Sequence, residues 1–209
     1  MTPIEEFEQL IATYFGAPYA IAIDSCTHGI ELSLRLLLED EKEYEFTCPS
    51  HTYLSVPMTF EKLQVPWSFT DEKWEDYYQI GDTNVIDAAV LWKSNSYIPG
   101  TLMCLSFQLR KHLPIGRCGM ILCDDEKDAE ILRQMRHDGR PSTTGFWHEM
   151  KIDRMGYHYY INYETAVTGI EQFRKVAHVE PKKWTWESYP DLSTYEVFKP
   201  KQDILTYYV

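Results

Sequence analysis

Short apolar runs alternate with segments of helical spacing along this chain, and that alternation leaves few architectures open. Thr2 and Pro3, followed by Glu5 and Glu6, read as a cap, a first-turn proline and acids near the positive end of a helix dipole. Phe7, Leu10, Ile11 and Tyr14 then share one face, and Gly16 ends the helix. Strands are expected from Tyr19 to Ile23, Glu43 to Cys48, around Val65 to Phe69, and at Asn84 to Asp87, Leu102 to Phe107 and Gly119 to Cys123. Between and after them, Thr27 to Leu38, Asp124 to His137 and Glu164 to Val176 carry helical spacing, and His51 to Lys62 forms a further segment. Strand–helix alternation of this kind is the mark of an α/β layer fold.

At 209 residues the chain is long enough for one domain with a core of its own, or one domain with an appendage. From Glu180 the composition turns to Trp184, Trp186, Tyr189, Tyr195, Phe198, Tyr207 and Tyr208 with interspersed prolines. Residues 1–178 are therefore expected to form the domain, and 179–209 an aromatic-rich extension that lies as a strap on the domain or on a partner subunit.

Lys and Arg number 20 against 32 Asp and Glu, a net charge of −12, which argues against general affinity for nucleic acid or an anionic membrane. An anionic substrate would need a local basic patch. Arg110, Lys111 and Arg117 offer one, whereas Arg133, Arg136 and Arg140 sit among acids and read as a solvated helix face. The five cysteines are odd in number and show no C-x-x-C pair, so neither a disulfide framework nor a zinc site is expected, and a reducing cytoplasm fits best. No apolar run approaches the roughly 18 residues of a membrane span. Glu5, Glu6 and Glu8 stand where a signal peptide carries positive charge, so a soluble protein is expected.

Two runs carry chemistry. Lys111 lies in S-F-Q-L-R-K-H-L-P-I-G-R-C-G, after an apolar strand and before a glycine-containing turn; Asp87 closes the strand of V-I-D-A-A, followed by two small residues that let a ligand approach. A lysine amine and an acid are what pyridoxal phosphate requires, one to hold it as a Schiff base and one to keep its pyridine nitrogen protonated. Desolvation among cations would lower the lysine's proton affinity and make it a usable nucleophile. Upstream, D-S-C-T-H-G opens directly into a helix, so a phosphate could sit on the backbone N–H groups of Cys26 and Thr27 with the Thr27 hydroxyl assisting. Ser106 could reach the same phosphate, and Tyr53 could stack on the ring. Each residue alone has an ordinary explanation: Ser25 or Thr27 as a helix cap, Asp87 as a cap or surface acid, Lys111 as a solvated lysine, Tyr53 as core.

Taken in order, these segments resemble the DegT/DnrJ/EryC1/StrS family of sugar aminotransferases. Ser25-Cys26-Thr27 stands for the family's S-G-T, Pro49 to Tyr53 for P-S-x-T-aromatic, and Ile86 to Val90 for E-D-A-A-[QH]. Ser106 to Gly119 stands for S-F-x-x-x-K with its downstream glycines, Gly156 to Tyr160 for G-x-N-Y-R, and Val167 to Gln172 for A-x-G-x-x-Q. The resemblance implies the fold-type-I architecture of pyridoxal-phosphate enzymes, a three-layer α/β/α arrangement around a mostly parallel central sheet, with the small C-terminal domain truncated. It further implies transfer of an amino group, usually from glutamate, to the keto group of a nucleotide-linked sugar. Homodimers with shared sites follow, His158 or Asn162 of one subunit reaching the phosphate held by the other. Val90, Tyr160 and Cys118 depart from the pattern, and the interval from Phe69 to Val85 is short for the strand–helix units the family carries there. Those losses touch groups that select and enclose a sugar, so two alternatives stand beside transamination: another reaction of the same cofactor, such as decarboxylation or dehydration, or a shortened relative that binds cofactor or a partner without turnover.

Overall fold

The structure, a computed structural model, describes residues 1–142 and 145–199; the expected tail aromatics Tyr207 and Tyr208 lie outside the described residues. The chain begins with α1 (Pro3–Phe15), closed at its start by a capping box in which the Thr2 amide donates to Glu5 Oε2 at 2.6 Å and the Thr2 hydroxyl accepts from the Glu5 amide. Gly16, at φ 77°, ends it in the left-handed conformation that glycine adopts without strain. There follow β1 (Tyr19–Ile23), α2 (Cys26–Leu37), β2 (Phe46–Pro49), α3 (Ser55–Leu63), β3 (Trp67–Thr70), β4 (Tyr78–Gln79), β5 (Val85–Asp87), β6 (Leu102–Ser106), β7 (Gly119–Cys123), α4 (Glu126–Arg136) and α5 (Tyr163–Val176).

A five-stranded sheet runs in the order β1-β7-β6-β5-β4, and β2 and β3 form a separate parallel pair joined through α3. The three layers of an α/β/α arrangement are present. Alternate strand residues point to opposite faces: Ile21, Ile23, Leu102, Cys104 and Ile121 pack with α2, α3 and α4, while Ala20, Ala22, Met103, Leu105 and Met120 pack with α1 and α5. Both faces are covered, which is why β6 and β7 are near-continuous apolar runs.

The strand directions correct one expectation. The main sheet is mixed: only β5–β6 is parallel within it, and β1–β7, β6–β7 and β4–β5 are antiparallel. Parallel neighbours need a crossover, usually helical. The 107–118 connection carries no helix, so β7 folds back beside β6, and the turn at 80–84 pairs β4 with β5 in the same way. A run of apolar residues buried on both faces reads alike in either direction.

Two buried acids anchor the helices. Glu31 of α2, 1 % exposed, accepts from Arg35 Nε at 2.9 Å and Lys62 Nζ at 2.7 Å, with the Tyr159 hydroxyl 3.3 Å away. Glu8 of α1 accepts from the Ala22 amide at 2.8 Å and pairs with Arg136 of α4. The strap, 180–199, lies on the domain itself as irregular chain with short 3₁₀ turns. Its Trp184 carbonyl accepts from the Asp76 amide, its Trp186 amide donates to the Trp74 carbonyl, and its Leu192 amide donates to the Ser50 carbonyl. Among the described residues no helix is long and apolar enough to cross a membrane.

Candidate active site

β5 and β6 run parallel and adjacent, so the chain segments leaving their carboxyl ends start side by side. Asp87 is the last residue of β5, and Lys111 lies in the turn that follows β6, its amide donating to the Gln108 carbonyl at 2.8 Å. Asp87 is 6 % exposed. Its Oδ2 accepts from the Tyr78 hydroxyl at 2.7 Å and its Oδ1 from the Ala89 amide at 3.0 Å. Tyr78 is its cross-strand partner in the β4–β5 ladder, which sets the two side chains on one face. Among the described residues Asp87 makes no ion pair. Burial pushes its carboxyl above the ordinary range, while Tyr78, Ala89 and the nearby Lys111 pull it back.

Lys111 shows the complementary effect: burial lowers its proton affinity, and the charge of Asp87 opposes that shift. Its Nζ donates to the Tyr189 hydroxyl at 3.2 Å and sits 5.2 Å from the centre of the Trp184 ring. Tyr189 reaches back to the acid: burial, then the charge of Asp87, raise its phenol well above the ordinary value, and its ring is 5.6 Å from Trp74. Next to Asp87 the space left open is about 20 Å³, bounded by Thr52, Trp74, Tyr78, Val90 and Tyr189. That holds about one water.

The N-terminus of α2 forms the third part. Ser25 is its cap, accepting from the His28 amide at 3.2 Å, as the ordinary reading of that turn has it. The first-turn amides of Cys26 and Thr27 then have no acceptor inside the helix. The Thr27 hydroxyl lies 2.7 Å from that of Ser55, tying the starts of α2 and α3 together. Gly119 lets the start of α2 lie close against β7, since a Cβ there would stand 2.5 Å from the Cys26 amide nitrogen.

Of the expected site residues, Lys111, Asp87 and Cys26 are close enough to perturb one another's ionisation. Tyr53 bounds the same small cavity but is more than half exposed. Ser106 ends β6 with its hydroxyl 3.5 Å from the Gln108 amide. His158 and Asn162 are not brought to Lys111 in this chain: His158 is exposed and meets the Asp138 carboxylate at 3.2 Å, and Asn162 caps α5 by accepting from the Thr165 amide at 2.8 Å. Tyr78, Trp184 and Tyr189 were not anticipated as site residues. For the last two the aromatic composition of the tail was the available signal.

The sequence profile of the DegT/DnrJ/EryC1/StrS aminotransferase family matches residues 2–91 and 98–192. The chain belongs to this family. An uncharacterized protein, MJ1066, of Methanocaldococcus jannaschii is 25% identical, the match covering 81% of this chain and 56% of that protein. Among solved structures, AtS13 from Actinomadura melliaura superposes with a TM-score of 0.72 at 17% identity, over 83% of this chain and 60% of its own. A GDP-4-keto-6-deoxymannose-3-dehydratase carrying a trapped PLP-glutamate geminal diamine gives 0.66 at 17% identity, over 84% and 61%. These likenesses are ones of fold, and the chain spans about 56–61% of the length of the proteins it matches.

Pyridoxal phosphate is the cofactor that this DegT/DnrJ/EryC1/StrS membership indicates, and the side chains present fit it. A partly desolvated amine, a buried carboxylate without an ion pair among the described residues and a helix start are the three groups such a cofactor needs. The open space beside Asp87 is smaller than the cofactor's ring, and Tyr189 is one of the residues that bound it.

Proposed function

We propose that this chain binds pyridoxal phosphate through Lys111 and transfers an amino group, from glutamate, to a keto-sugar nucleotide or a related keto compound. The observation that carries the reading is the convergence of Lys111 and Asp87, each desolvated and each shifted toward its neutral form, at the ends of two adjacent parallel strands. When bound, the cofactor supplies an electron sink for the pair released at the substrate carbon.

The remaining chemistry belongs to the chain. Lys111 would hold the cofactor through its amine and, when free of it, would serve as the base at the substrate carbon. Asp87 would face the pyridine nitrogen and favour its protonated form by charge. The Cys26 and Thr27 amides would hold the phosphate with the Thr27 and Ser106 hydroxyls, and Tyr53 would cover one ring face. His158 or Asn162 would come from the second subunit of a homodimer. The nucleotide-sugar substrate class is supported by the family and by the sugar named for the dehydratase of the same fold. That dehydratase also supports dehydration as the second reading, since one cofactor serves both reactions and the pocket selects the bond. Five buried cysteines without a disulfide suit a reducing compartment such as the cytoplasm.

The test is direct. Borohydride treatment after incubation with pyridoxal phosphate should fix one label, mapped to Lys111 by peptide mass. A chain that takes up no label there is not this enzyme. With glutamate as donor, accumulation of the pyridoxamine form supports transamination, whereas loss of water from a keto-sugar nucleotide without turnover of glutamate selects dehydration.

A further inference from the structure

The geometry points to a displaceable plug: strap residues 184–191 occupy the place of a planar ligand between Lys111 and Asp87, and the site opens only when they leave. The inference deepens the proposed function and rests on it for the identity of the ligand, but not for the shielding of Lys111.

Tyr189 presents what a ring ligand would present. Its oxygen accepts from the Lys111 amine at 3.2 Å, its ring lies against Trp74, and its body walls the space beside Asp87. Trp184 covers the amine from a second side, 5.2 Å from its ring centre. What is left open, about 20 Å³, is far below the roughly 300 Å³ of a small-molecule site. Nothing with a six-membered ring enters beside Asp87 while Tyr189 is there.

The attachment is suited to release. Among the described residues this segment is joined to the body by isolated bridges, Glu75 with Thr185 and His51 with Asp191, by the bonds at Asp76, Trp74 and Ser50, by the donation from His51 Nδ1 to the Tyr189 carbonyl at 2.8 Å and by that from Lys111 to the Tyr189 hydroxyl. Trp184, Trp186 and Tyr189 are only partly buried, and Leu192, 1 % exposed, is the fixed point beyond them. Trp184, Trp186 and Tyr189 pack on the edge of the core, and a segment held by such side-chain contacts and isolated bridges, outside any helix or sheet ladder, opens locally without global unfolding. Electrostatics works against the closed form as well. It keeps Lys111 and Asp87 desolvated with no ion pair between them, so a ligand carrying a protonated ring nitrogen and an aldehyde makes contacts that the tyrosine cannot.

Lysine methylation by formaldehyde and cyanoborohydride, followed by peptide mass analysis, tests the shield on the full-length chain. Lys111 should react slowly in the native protein and about tenfold or more faster in Tyr189→Ala, while Tyr189→Phe, which keeps the ring, stays near the native rate. Lys62 serves as the internal reference. Equal labelling of Lys111 in native and Tyr189→Ala protein overturns the inference. Should the alanine variant fail to fold, hydrogen exchange on the native chain decides: adding pyridoxal phosphate should strip protection from the Asp76 and Trp186 amides, and loading with both still protected overturns it. The two proposals fail separately. Contrast in methylation with no borohydride-fixed label in either protein keeps the plug and removes the cofactor, whereas equal, rapid label uptake by both proteins keeps the cofactor and removes the plug.

Discussion

Glu31 and Asp87 are both buried carboxylates, yet the chain treats them in opposite ways. Glu31 receives two cations, Arg35 and Lys62, whose side chains stay 26 % and 48 % exposed, so the charge is matched while the cationic heads keep part of their water. The pair ties α2 to α3, and Tyr159 extends the tie to the chain before α5. Asp87 receives only neutral donors, Tyr78 and Ala89, and Lys111, whose charge acts on it, hydrogen-bonds to Tyr189. A buried charge left without a counter-charge costs several kcal/mol, so a fold selected for stability alone has no reason to keep one. Where structure is at stake this chain closes its ion pairs; at the ends of β5 and β6 it leaves one open, which is where a ligand can complete it.

The strongest test of that contrast is Lys111→Met. Under the proposed function it abolishes covalent uptake of the cofactor and lowers turnover by about 10³-fold or more, equivalent to ~4 kcal/mol. The fold should gain stability. Because Lys111 holds its proton less tightly folded than unfolded, its penalty is full below the folded value and fades as pH rises toward the ordinary lysine value. Denaturant melts should therefore show Met ahead of Lys at neutral pH, with the gap shrinking at alkaline pH. A destabilised Met variant would mean that the ammonium is a structural tie.

Next in size is the exchange of the two acids for their amides. Asp87→Asn should weaken cofactor binding by about tenfold to a hundredfold, one to two pKa units' worth of charge pairing, and leave the melting temperature unchanged or higher. The sign follows from the raised carboxyl: the folded chain holds that proton more tightly than the unfolded one, so the acid's contribution is best below the ordinary carboxylate range and is lost as pH climbs through the raised value. Glu31→Gln should do the reverse, costing about 1–3 kcal/mol of stability because Arg35 and Lys62 lose their acceptor, with cofactor affinity unaltered. Equal behaviour of the two variants would erase the distinction between tie and site.

What could be read in the amino-acid order follows the same division. Lys111, Asp87 and the α2 start were legible because each belongs to a local pattern: a strand, a turn and small residues within a few positions. Most helices were legible from periodicity and caps, Thr2 among them; that Glu5 returns the bond to the Thr2 amide, and that 55–63 is helical, were not. Strand direction was not, since β7 is buried along its whole length and carries no alternation to orient it. Tyr78 escaped because its place opposite Asp87 depends on a two-residue strand, too short to show a period. Tyr189 escaped for a different reason: the tail's aromatic content marks it as a strap, but which ring meets Lys111 depends on single hydrogen bonds at Trp74, Asp76 and Ser50.

The smallest expected effects are at His158 and Asn162, and they bear on whether the open charge at Asp87 belongs to a site built by one chain or two. Within this chain Asn162 is a helix cap, so Asn162→Ala should cost about 1 kcal/mol. His158 is exposed and pairs with Asp138 at the surface, so His158→Ala should cost about 0–1 kcal/mol. If either residue serves the neighbouring subunit, its loss lowers phosphate affinity by more than those stability changes explain. Mixing sharpens the measurement. His158→Ala and Lys111→Met, each deficient alone, would regain about a quarter of native turnover on random pairing, because half the dimers are mixed and each of those holds one intact site. A mixture no better than its parts, or full activity from a sedimenting monomer, would confine the site to a single chain and leave His158 a surface residue.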